Sequence, residues 1–153
     1  MDLTRGAALL AGLWAGVLLC IGLLAAPAGF ATLAASDAGR VTGRMLAQEA
    51  LLSLVLVAVL FLVERRRARH GAAAGRGSVL TTDILLLMGV LFCTVAGHYA
   101  VQPMMAAARA GQGPWSFGAL HAVSAAFYGL KTLLVLALAW RLTAAPVNRP
   151  PSS

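Results

Sequence analysis

Charge is scarce in this 153-residue chain: 11% of its residues are Asp, Glu, Lys or Arg, and only five are acidic. Soluble domains carry roughly a quarter charged residues, so an ordinary water-soluble globule is excluded. Cysteine is nearly absent as well. The two residues, Cys20 and Cys93, each sit near the middle of an apolar run, which excludes a disulfide framework and marks both as small buried side chains. No nucleophile with its base, no Gly-rich phosphate cradle and no His-Glu-x-x-His pair is present, so an independent hydrolase or kinase is not expected. The period-two alternation of barrel strands is missing too. What fills the chain instead is apolar: 60% hydrophobic residues and a mean hydropathy of +0.84.

Those apolar residues form four runs, at about 7–30, 45–63, 84–104 and 118–140. Each is close to the roughly 20 residues that cross a bilayer as a helix. Backbone polar groups cannot remain unpaired in lipid, so an all-α, four-helix transmembrane bundle is expected, a single membrane domain over 1–145. The first run resembles a secretory signal through Arg5 and the small Ala26-Pro27-Ala28 stretch. Its length exceeds the roughly 7–15 residues of a signal core, and retention as the first span is expected. Gly71 to Gly77 reads as a flexible linker, and 146–153 as a disordered tail.

The formal charge of +7 suggests nucleic acid at first sight. Its distribution argues otherwise. Arg5, Arg65, Arg66, Arg67, Arg69, Arg76, Arg141 and Arg149 fall on one side of the four spans, and Arg40, Arg44 and Arg109 on the other. The positive-inside rule then places both termini and the Arg-rich loop in the cytoplasm, and no nucleic-acid partner is expected. Gly12-x-x-x-Gly16 in the first run reads as a packing face within the bundle, with a dimer contact as the alternative.

Ionisable groups inside membrane spans are costly and mark candidate sites. Glu49 lies four residues into the second run, His98 fourteen beyond Ile84 in the third, and His121 three into the fourth. Read from the run ends, the three share a depth in the outer half of the membrane. On the fourth helix His121, Ser124, Tyr128 and Lys131 fall within one stripe; on the third, Thr94, His98 and Gln102 recur every four residues; on the second, Glu49 and Ser53 do. A polar seam inside the bundle follows. Its plain reading is helix register held by hydrogen bonds; its sharper reading is a site in which His98, His121 and Glu49 bind a metal cation or pass protons, supported by Gln102, Ser124, Tyr128 and Lys131. Lys131 stands apart, well inside hydrocarbon, with no acidic residue evident at its level. Asp83 reads as part of a helix start, with Thr81 and Thr82 as alternative caps.

Leu13-Trp14-x-Gly16, Ala26-Pro27-x-x-Phe30 and Ala38-Gly39-Arg40-Val41-x-Gly43-Arg44 resemble the first half of the transmembrane-protein-205-like family of small four-span proteins. Gln102-Pro103-x-Met105, Arg109 and Phe117-x-x-Leu120-His121-x-x-Ser124 resemble its second half. The family pattern places Asn where this chain has Tyr128, and an aromatic residue near Gln48 and Glu49. The resemblance implies architecture rather than an assigned activity. It extends distantly to copper-resistance D proteins and to membrane-bundle protoporphyrinogen oxidases, which implies His-dependent metal or haem b function. Three classes are therefore carried forward: a non-enzymatic module of a bacterial inner membrane that binds a cation or passes protons; a haem b protein with His98 and His121 as ligands; and an accessory subunit of a larger membrane complex or homo-oligomer.

Overall fold

The computed structural model describes residues 3–75 and 78–144; the tail expected at 146–153 lies outside them. Every regular element is helical among the described residues: α1 (Leu3–Cys20), α2 (Ala26–Thr32), α3 (Ala35–Ala73), α4 (Thr82–Thr94), α5 (Val101–Arg109) and α6 (Phe117–Ala144). Two π-helical segments, Ile21–Ala25 and Val95–Ala100, join α1 to α2 and α4 to α5 without a break. The result is four continuous helices, Leu3–Thr32, Ala35–Ala73, Thr82–Arg109 and Phe117–Ala144, each long and apolar enough to cross a membrane. The chain is a multi-pass membrane protein with an all-α bundle.

The π segments have a covalent cause. A proline within a helix has no N–H and its ring presses on the carbonyl four residues back. For Pro27 that carbonyl belongs to Leu23, and for Pro103 to Tyr99, each inside a π segment. The wider turn absorbs the clash and lets the helix continue.

Chain reversals use local capping. Leu33 and Ala34 adopt extended conformations between α2 and α3. Thr81 caps α4 by accepting from the Ile84 N–H at 3.3 Å, the first of the two alternatives expected there. Gly111 and Gly113 take φ of +72° and +87° before α6, a region open to glycine at little cost. Gly71 to Ala73, expected as linker, instead complete the last turn of α3.

The first helix packs on the second and fourth, and the third on the second and fourth, while α3 and α6 share no backbone contact among the described residues. The second and fourth helices therefore face each other across the diagonal of the bundle. One half of that bundle is a dry core of Trp14, Leu60, Leu87, Val90, Val135 and Leu138, among others. At its end the Arg141 guanidinium donates to Asp83 at 2.6 Å, tying α6 to α4. Gly12 and Gly16 do not serve as the expected packing face: a Cβ at either would meet nothing within 4 Å, so the stripe points away from the other helices.

Candidate functional site

The diagonal is bridged at mid-height. Glu49 on α3 and Lys131 on α6 each lie fourteen residues in from their helix starts, Ala35 and Phe117, a depth of about 21 Å at 1.5 Å per residue. Their side chains meet with Nζ to Oε2 at 2.6 Å and are 5% (Lys131) and 2% (Glu49) exposed. Lys131 is thus not the isolated charge expected from the apolar runs. Either ion alone at this depth carries a large desolvation cost; attraction in the same low dielectric and added hydrogen bonds offset it only when both are present.

Those added bonds come from spacing along the helices. Ser53, one turn beyond Glu49 on the same face of α3, donates to Glu49 Oε1 and accepts from the Trp14 indole N–H at 3.1 Å. On α6, Tyr128 sits one turn before Lys131, whose ammonium lies 5.0 Å from the centre of the phenol ring. The Tyr128 hydroxyl is itself held, donating to the Leu18 carbonyl at 2.7 Å. Trp14, Ser53, Glu49 and Lys131 form one connected chain from the first helix to the fourth, and the dry core lies directly beneath it.

Above this chain the bundle is open. A cavity of about 1280 Å³ fills the half bounded by the π segments, larger than the roughly 300–1,000 Å³ of most small-molecule sites. Its floor includes Glu49 and Lys131 and its walls are mostly apolar. Leu23, Phe30 and Leu133 contribute to it while 69%, 52% and 64% exposed, so the cavity communicates with the surface that lipid covers. Glycine keeps its inner walls close: a Cβ on Gly22 would stand 3.1 Å from Tyr128 Cε1, and one on Gly97 3.0 Å from Phe127 Cβ.

His98, Gln102, His121, Ser124 and Tyr128 all border this cavity, as the helical stripes suggested. They do not form the expected metal set. His98, half-buried in a π segment, meets Tyr99 edge-on at 5.0 Å, and His121, exposed near the start of α6, stacks on Phe117 at 5.9 Å. The heights differ: His121 is four residues from its helix start, against fourteen for Glu49. Both Glu49 oxygens already accept hydrogen bonds. Among the described residues no group of three His, Cys, Asp or Glu side chains is arranged to hold a metal ion, so the donor set does not fit one. At the mouth the Arg109 guanidinium lies 4.5 Å over Phe117, and Arg40 is neutralised by Asp37 at 2.7 Å.

No curated protein and no solved structure matches the chain, so its resemblance to transmembrane-protein-205-like and copper-resistance D proteins is not shown. A family match does cover residues 9–114, which include Glu49 and His98 and stop short of His121 and Lys131. The chain belongs to the family described as a domain of unknown function, DUF4149.

Proposed function

We propose that this protein is a membrane binding module that takes a lipid-soluble molecule into its cavity from the surrounding bilayer. The observation that carries the reading is the cavity itself: about 1280 Å³, walled mainly by apolar side chains, bordered by lipid-exposed Leu23, Phe30 and Leu133, and closed below by a buried ion pair. Apolar walls suit a hydrocarbon or isoprenoid body, and a few convergent polar groups orient its head. Conduction of protons or ions across the bundle has less support, because the dry core of Trp14, Leu60, Leu87 and Leu138 fills the half beneath the pair. Cation binding has less as well, because both Glu49 oxygens are engaged. In this reading the cavity faces outward and both termini face the cytoplasm.

Native mass spectrometry of protein released gently from its membrane tests this. One lipid-soluble adduct per chain is expected, surviving detergent exchange. Gly43→Phe should remove it: Gly43 borders the cavity, so a phenyl ring there adds bulk at its edge, and replacing glycine favours the helix by a few tenths of a kcal/mol. An unchanged adduct pattern in that variant would overturn the reading.

A further inference from the structure

We infer that the bound lipid has a neutral head with carbonyl oxygens at two separate positions, a quinone-type ring, seated on Lys131; this rests on the cavity reading above. A lysine ammonium has three N–H donors. Glu49 is the one hydrogen-bond partner of Lys131 among the described residues, and Lys131 lines the cavity. Two donors are therefore left for an acceptor that enters from above, and a donor left unpaired at this depth is costly.

Charge balance selects the class of that acceptor. Glu49 and Lys131 together are neutral. An anionic head would draw Lys131 away and strand the Glu49 carboxylate; a cationic head would strand Lys131. A carbonyl oxygen accepts from the free N–H groups and leaves the pair intact. The third helix offers a second station, since His98 and Gln102 border the same cavity and their side chains make no hydrogen bond among the described residues. An alcohol has one oxygen for these two stations, whereas a quinone ring carries one on each side. The half-buried rings of Tyr128 and His98 add aromatic surface to the cavity wall, and the isoprenoid or alkyl tail leaves past Leu23 and Phe30.

The test uses full-length protein in nanodiscs with Trp115→Phe and Trp140→Phe, leaving Trp14, which is joined to Glu49 through Ser53, as the chain's one tryptophan, excited at a wavelength that tyrosine does not absorb. Decylubiquinone should quench Trp14 saturably, whereas decanol and decyl phosphate should fail to displace it. Glu49→Gln/Lys131→Met, which removes the charges together, should weaken quinone binding about tenfold or more, as expected for losing a charge-assisted hydrogen bond. Lys131→Arg, which keeps donors and charge, should retain binding. Unchanged affinity in the double variant, or displacement by decyl phosphate, would overturn the inference. If the native adduct is lost in Gly43→Phe yet decylubiquinone does not bind, this inference fails while the cavity reading stands. If neither the native adduct nor decylubiquinone quenching changes in Gly43→Phe, both fail.

Discussion

Lys131 and Glu49 hold each other in the membrane. Removing one leaves the other as an uncompensated buried charge, so Lys131→Met should lower stability by about 3–5 kcal/mol in detergent unfolding titrations. Glu49→Gln/Lys131→Met should recover most of that loss; a double variant as unstable as the single would show that the two charges do not compensate each other. Trp14→Phe should cost about 2–3 kcal/mol, since it deletes the hydrogen bond to Ser53 and leaves a gap in the core where the larger indole was fully buried. Each charged residue was conspicuous in the sequence, because an ion in an apolar run is rare. Their partnership was not. Glu49 reads as shallow when depth is counted from Met45, where the apolar run begins, but α3 starts ten residues earlier at Ala35. Asp37, Arg40 and Arg44 disguise that first stretch as a loop, and the disguise hides the fact that Glu49 and Lys131 lie equally deep. The same error brought His121 and Glu49 to one apparent level and suggested a metal site that the geometry does not assemble.

Among the helices, the π segments border the part of the bundle that opens. Pro27 and Pro103 were visible in the sequence, yet helical periodicity alone could not show whether each would end its helix, kink it or widen the turn before it. The widened turns lie on the first and third helices, which flank the α3 to α6 diagonal, and each places a glycine against α6. Gly97→Val should therefore destabilise by about 1–3 kcal/mol through its clash with Phe127, read as a lowered unfolding midpoint. A neutral effect would mean that the third and fourth helices are not held this closely. The polar stripes transferred well from sequence to structure, since Thr94, His98 and Gln102 on one side and His121, Ser124, Tyr128 and Lys131 on the other all reach the cavity. Helical phase determines which face a residue occupies. It says nothing about how far apart two faces stand, and so the cavity itself was not legible.

For the whole molecule, four spans and their approximate positions followed directly from hydrophobic run length, because the bilayer imposes a minimum that soluble helices seldom meet. Diagonal placement of the second and fourth helices did not, since it depends on side-chain fit rather than on composition. Reporter fusions at the N- and C-termini should both be active only as cytoplasmic reporters, in keeping with eight arginines on that side and three on the other. Opposite responses at the two ends would contradict an even number of spans. The most direct measurement is an electron cryomicroscopy map of the protein in nanodiscs formed from its own membrane. It should show Lys131 and Glu49 in contact across the bundle, with density for an elongated lipid-soluble molecule ending on the Lys131 ammonium. Helices closed together above the pair, or the two side chains pointing into separate surroundings, would contradict the account.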